Sequence, residues 1–301
     1  MRTRIVLITI AVVATAAALA FLAFNGGEAQ RLIESSAPSA PPDAMTVAAA
    51  GDICTRSPSS CSPTADLIDR LAPDAVLALG DNQYEDGTIE EYGKSYAQSW
   101  GRFKDITFPV AGNHEWHTPD AQGFLDYFGL TTHWYTFTVG PWRLYALDAT
   151  CDENNGCDPA SAQYEWLANE LASDSDRCIL AYWHQPRFSS GDTHGSHDEM
   201  APIWALLDEA GADLVLNGHE HNYERFGPQD ADGQSTPDGM VQIVAGTGGN
   251  PSSYGFGEPL ENSEVRKGGF GVVELSLWKD GWAAAFTRTD GRVVDTASGG
   301  C

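Results

Sequence analysis

Ala75-Val76-Leu77-Ala78-Leu79-Gly80-Asp81-Asn82-Gln83-Tyr84 is a run of five apolar residues that passes directly into a Gly-Asp turn. The run has strand length and is terminated by a turn. The pattern recurs four times. Apolar runs at 45–50, 108–111, 178–183 and 212–216 end in Gly51-Asp52-Ile53-Cys54, Gly112-Asn113-His114-Glu115, His184-Gln185-Pro186 and Gly218-His219-Glu220-His221. Chemistry-bearing side chains therefore fall at strand ends. Together they supply carboxylates, an amide, a phenol and imidazoles, a donor set fit to hold two metal ions side by side.

Between these runs lie segments with apolar residues three or four apart, at 64–71, 163–171 and 203–210, which predict helices. Strands alternating with helices predict an α/β core, whose ligands bind beyond the carboxyl ends of the strands. Residues 134–139 and 142–147 flank Gly140-Pro141 as a hairpin, and 240–245, 270–277 and 282–287 continue the β pattern; these later strands read as antiparallel. The Gly-rich piece 246–257 reads as a loop bordering the mouth of the site. If the chain turns helically after the strand at 75–79, Asp81 and Tyr84 share a side, and His219 and His221 would alternate to one side of an extended segment.

The 301 residues carry 42 acidic and 17 basic side chains, a formal charge of -25, which argues against a nucleic-acid or anionic-membrane surface. The same acidity requires bound cations to invert the local field wherever an anionic substrate is to approach. Residues 5–24 are almost wholly apolar behind Arg2 and Arg4, so 1–25 reads as a signal peptide or membrane anchor. Residues 26–44, rich in Ala, Ser and Pro, read as a flexible linker, and 45–301 as one catalytic domain. The expected location is extracellular or cell-surface. Six cysteines in an exported chain predict disulfides; proximity favours Cys54 with Cys61 and Cys151 with Cys157, each closing a small loop, and Cys178 with Cys301 would then pin the tail to the body.

Taken together, the five blocks resemble the calcineurin-like metallophosphoesterases, and within them the purple acid phosphatase branch. The resemblance covers residues 47–225, and its separating detail is Tyr84, three residues after Asp81. Cys54 departs from it, standing where the wider superfamily has His and purple acid phosphatases have Gly; a thiolate ligand and half a disulfide are both open readings. The resemblance implies a sandwich of two mixed β-sheets flanked by helices, with the metal site at the carboxyl ends of strands. It assigns Asp52, Tyr84 and His221 to one metal, Asn113, His184 and His219 to the other, and Asp81 to both. Hard oxygen donors suit Fe(III) at the first position, and the amide with two imidazoles suits Fe(II), Zn(II) or Mn(II) at the second.

The resemblance further implies hydrolysis of a small phosphomonoester by in-line attack of metal-bound hydroxide, with His114 and His194 serving substrate or leaving group. Two alternatives carry the same residues: a phosphodiesterase or nucleotidase with the same centre, and a non-catalytic protein that binds a phosphorylated ligand. All eight histidines fall between 114 and 221, which favours a site over scattered core positions.

Overall fold

Alternation decides where each strand's side chains go, and the packing follows from it. In the computed structural model, which describes residues 40–173 and 178–301, β1 (Met45–Ala50) sends Val47 and Ala49 to one face and Ala48 and Ala50 to the other. The next strand, β2 (Ala75–Leu79), repeats this with Leu77 and Leu79 against Val76 and Ala78. Every one of these side chains is buried. Both faces of the strand are covered, which is why the sequence is apolar without alternation.

Along the chain follow β3 (Thr107–Val110), β4 (Tyr135–Val139), β5 (Trp142–Ala146), β6 (Ile179–Tyr182), β7 (Leu214–Asn217), β8 (Tyr223–Phe226) and β9 (Val241–Ala245). Then come β10 (Ser263–Lys267), β11 (Gly271–Trp278), β12 (Gly281–Arg288) and β13 (Val293–Gly300). One sheet has the order β13-β12-β11-β1-β2-β3 and the other β10-β8-β9-β7-β6-β5-β4. The two sheets face each other across a shared core that includes Leu77, Leu79, Trp142, Leu180, Leu216 and Phe286. The helices are α1 (Ser62–Leu71), α2 (Ile89–Lys94), α3 (Gln122–Phe128), α4 (Ala162–Ala172) and α5 (Ala201–Glu209). Buried Ala65 and Ile68 of α1 and Phe124 of α3 cover the outer face of the first sheet; Leu167 of α4 and Ile203 and Leu207 of α5 cover that of the second. The fold is thus α/β, two mixed sheets flanked by helices.

Strands β1, β2 and β3 run parallel, as do β5, β6, β7 and β9, so their carboxyl ends gather at one edge of the sandwich. There the two sheets are joined: Gly51 N donates to Ala245 O at 2.9 Å, and Gly248 N to Gly51 O at 2.8 Å. Three disulfides form the expected pairs: Cys54–Cys61 and Cys151–Cys157, which close short loops, and Cys178–Cys301, which pins the tail.

Several sequence expectations need correcting. The strand expected at 240–245 is parallel to β7 and antiparallel only to β8, because a crossover separates it from its neighbour. After β2 the chain makes no helical turn: Asp81 takes a left-handed φ of 47° and Gln83 forms a parallel bridge with Cys54. Nor is 219–221 extended. His219 has φ 71°, and tight bonds from Glu220 N to Gly218 O and from Asn222 N to Glu220 O fold it into successive turns. The signal or anchor at 1–25 and the linker up to residue 39 lie outside the described residues. Among the described residues no helix is long and apolar enough to cross a membrane.

Candidate active site

Glycine admits the crowding at the strand ends. A Cβ on Gly80, itself at φ +85°, would stand 2.5 Å from His184 Nδ1, and one on Gly112 would stand 2.3 Å from Asp81 Oδ1. No other residue permits so close an approach, and Gly80 also needs the left-handed backbone. Asp52 (φ 59°), Asp81 and His219 occupy the same region without being glycine. Such conformations cost about 1–3 kcal/mol each and concentrate where surrounding structure enforces a side-chain position.

Each aspartate commits one oxygen to the backbone of another block. Asp52 Oδ2 accepts from His219 N at 2.8 Å, and Asp81 Oδ1 accepts from His114 N at 2.9 Å. The remaining oxygens turn inward. Tyr84 OH lies 2.9 Å from Asp52 Oδ1, 2.9 Å from Asp81 Oδ2 and 3.2 Å from His221 Nε2. His221 Nε2 is 3.1 Å from Asp52 Oδ1, while His184 Nε2 is 3.3 Å from Asp81 Oδ2 and 3.3 Å from His219 Nδ1. Asp52, Asp81, Tyr84, His184 and His221 are all buried.

The tautomers follow from the outer partners. His184 Nδ1 faces the Leu79 carbonyl at 2.8 Å and His221 Nδ1 the Ser252 carbonyl at 2.8 Å. A carbonyl only accepts, so each Nδ1 carries a proton and each Nε2 directs its lone pair inward, the usual way a ligating imidazole is oriented. Burial and the neighbouring His184 push His219 down to about 3, which keeps its ring neutral. Burial works against charge on His184, yet the Asp81 and Asp52 carboxylates outweigh it and raise it to about 10. Burial alone would lift both aspartates as well, but the facing imidazoles hold them below the ordinary range. The field at this point calls for positive charge, a proton on His184 or a metal cation in its place. Burial and the two carboxylates push the Tyr84 phenol well above its usual range, a bias that a cation among the same atoms reverses.

Asn113 Oδ1 is buried without a hydrogen-bond partner. A buried amide oxygen without a partner is an exception that calls for a further group, and a cation is one that it suits. Asp81, His184 and His219 place their donor atoms within 4.8 Å of one another. Around Asp81 Oδ2 the donors thus fall into an oxygen-rich group with Asp52, Tyr84 and His221 and an imidazole pair of His184 and His219, chemistry that fits two cations.

A match to the calcineurin-like phosphoesterase family model runs over residues 45–223. The chain belongs to the calcineurin-like phosphoesterase family. Its relatives place the chain in the purple acid phosphatase-like branch. Purple acid phosphatase 15 of Arabidopsis thaliana is 30% identical over 261 residues, covering 69% of this chain and 48% of that protein. Acid phosphatase type 7 of Danio rerio is 29% identical over 275 residues, covering 75% and 61%. The chain thus spans about half the length of the curated relatives it matches. In fold it is similar to the purple acid phosphatase PPD1 from yellow lupin seeds, with a TM-score of 0.69, 20% identity, and coverage of 87% of this chain and 55% of that one. The family implies a dinuclear metal centre.

His114 lies at the rim of the cluster. Its Nδ1 donates to Glu85 O at 2.6 Å, its ring packs 4.3 Å from that of Tyr84, and its Nε2 stands 3.9 Å from Asp81 Oδ2. The His194 ring lies 4.2 Å from that of His219 and 5.1 Å from that of Tyr254. Cys54 is in a disulfide, which leaves it no thiolate to offer a metal.

Sequence reasoning missed the groups that hold these residues in place. Buried Glu115 accepts from Asn82 N, Gln83 N and Gly112 N at 2.9, 3.2 and 2.8 Å and from Tyr92 OH at 3.0 Å, tying the ends of β2 and β3 together. Burial and the nearby Asp81 lift its carboxyl to about 7. Glu220 Oε1 accepts from His194 N at 2.7 Å and Gly195 N at 2.6 Å, which fixes the His194 loop. Tyr254 stacks on His221 at 4.1 Å. The only signal for the two glutamates was their place inside ligand-bearing blocks. The Gly-rich loop was expected at the mouth, but nothing in it singled out Ser252 or Tyr254.

Proposed function

We propose that the chain is an exported binuclear-metal phosphatase that hydrolyses phosphomonoesters. One observation carries the reading: Asp81 Oδ2 stands between Tyr84 OH and His184 Nε2, at the junction of an oxygen-rich and an imidazole-rich donor group. Asp52, Tyr84 and His221 would hold Fe(III), Asn113, His184 and His219 would hold Fe(II), Zn(II) or Mn(II), and Asp81 both. When bound, such a pair lowers the pKa of a water nucleophile towards neutrality and offsets charge on the phosphoryl oxygens.

The protein's own groups do the rest. His114, tethered through Nδ1 to the Glu85 carbonyl, keeps Nε2 at the cluster's edge, where in protonated form it can donate to the phosphoryl group or the departing oxygen. His194, held by its amide over His219, is positioned to contact the ester's other side. Three disulfides support an oxidising, extracellular or cell-surface setting.

Metal analysis together with a panel of monoesters and diesters tests the reading. We expect about two metal ions per chain, monoesters turned over in preference to diesters, and both metal and activity lost in Asp81→Ala. Tyr84→Phe should abolish any violet band of the iron-loaded protein. A protein that binds two metals and phosphate yet hydrolyses no ester would sink the enzymatic reading.

A further inference from the structure

The candidate active site opens into a cavity of about 600 Å³ whose lining includes Tyr84, His114 and His221 together with Arg56, Glu85 and Tyr254. Among the described residues Arg56 is the one arginine or lysine on that wall, in a chain where acidic residues outnumber basic ones 42 to 17. Among the described residues its guanidinium has no ion-pair or hydrogen-bond partner. Glu91, which shares a neighbouring recess with Arg56, is committed elsewhere: it accepts from Glu85 N through Oε1 and from Asp86 N and Thr88 N through Oε2, each at 3.2 Å.

The segment that carries Arg56 is tightly held. The Cys54–Cys61 disulfide closes its loop. Thr55 N donates to Ser60 Oγ at 3.1 Å, Ser60 N to Ser57 O at 3.1 Å, and Gln83 Nε2 to Thr55 O at 3.1 Å, which ties the loop to the block that bears Asp81 and Tyr84. A pre-ordered loop spares the backbone's share of the ordering cost when its guanidinium meets an anion, and the planar fork matches phosphate oxygens two at a time.

We propose that Arg56 forms a second anion subsite and that the preferred substrate is a small bisphosphorylated molecule, one phosphate reacting at the metal cluster while the other, on the leaving group, is held by Arg56. This rests on the phosphatase reading for the reacting end. Glu85 on the same wall opposes an anion there, so its carboxylate trims the preference that Arg56 creates.

The test uses matched pairs that differ only in the distal phosphate. Hydrolysis of propyl phosphate and of propane-1,3-diyl bisphosphate is compared by kcat/KM. Binding of propylphosphonate and of propane-1,3-bisphosphonate, which cannot be hydrolysed, is compared by calorimetry on the metal-loaded full chain. Arg56→Ala should cut the preference for the bis compounds about tenfold, mainly through KM, and leave the mono compounds within about twofold. Arg56→Lys should restore part of the preference, Glu85→Gln should enlarge it, and added salt should shrink it. A wild-type protein with no preference, or an Arg56→Ala variant in which mono and bis compounds weaken equally, overturns the subsite while leaving the phosphatase standing. An Arg56-dependent preference in binding, without turnover of any ester, overturns the phosphatase and leaves the subsite.

Discussion

His114 and the metal-facing residues differ in what they hold, so they should differ in what their loss removes. His114 meets the cluster only at its edge, with Nε2 at 3.9 Å from Asp81 Oδ2, and its backbone rather than its ring engages Asp81. His114→Ala should therefore keep its metals while kcat falls about a hundredfold, the scale of a lost general acid. His219→Ala should instead lose metal, because its Nδ1 is one of the inward donors. Metal analysis beside single-turnover rates separates the two, and equal metal loss in both would refute the division. At this scale much was legible. Asp52, Asp81, Tyr84, His184, His219 and His221 are brought together, and Asn113 keeps a buried, unpartnered amide oxygen among the described residues; each side chain type and its place after an apolar run is local information. Glu115 and Glu220 were not legible, because a carboxylate that accepts from backbone amides has no partner residue type to mark it.

Elements position the side chains through their ends and connecting loops. The loop with His194 is clamped by Glu220 Oε1 at its amides and by Glu224, whose Oε2 accepts from Ser190 N at 2.8 Å. If Glu220 acts through His194, a double-mutant cycle shows it: Glu220→Ala and His194→Ala should slow turnover by similar factors, and the pair together by little more than either alone. Additive effects would place Glu220 elsewhere in the machinery. At the opposite end of β6 and β7, Asp213 Oδ2 accepts from Ile179 N at 2.8 Å, and burial raises its carboxyl from 3.8 to about 6. A raised native pKa means the folded state binds the proton more tightly. The group's stabilising contribution is present below 3.8 and is lost as pH rises through about 6. Asp213→Asn keeps the acceptor without the charge, so its Tm relative to wild type should improve on going from about pH 4 to about pH 7. Allowing for solvent screening of this half-buried group, the gain is about 1 kcal/mol, or about 2–4 °C. A gap that does not change with pH would remove the carboxylate from this account. Strands β8, β10 and β13 went unread because Tyr223–Phe226, Ser263–Lys267 and Val293–Gly300 lack a clean apolar run; β10 and β13 sit at sheet edges, where one side of the ladder meets solvent.

Across the whole molecule, stability rests on two sheets pressed face to face. The Cys178–Cys301 disulfide links them, joining the entry of β6 in one sheet to the exit of β13 in the other across 123 residues. Trp142 Nε1 donating to Trp278 O at 2.9 Å adds a second tie between the same sheets. Replacing both cysteines by serine should cost about 3 kcal/mol and lower Tm by several degrees. Turnover at room temperature should hold within about twofold, since the bond lies away from the site-bearing strand ends. A loss of activity without a loss of Tm would show that the bond shapes the site instead.

Contiguous sequence determined the α/β class, the strand-length apolar runs, the chemistry at their ends and the two short-loop disulfides, because each depends on residue spacing within a few positions. Tertiary structure alone decided how the blocks meet. The left-handed backbones of Asp52, Asp81 and His219, the glycine clearances at Gly80 and Gly112, and the union of β1 with β9 depend on groups far apart along the chain. Burial then set the charge balance among the assembled side chains, and no window of the sequence contains the distances on which that balance depends.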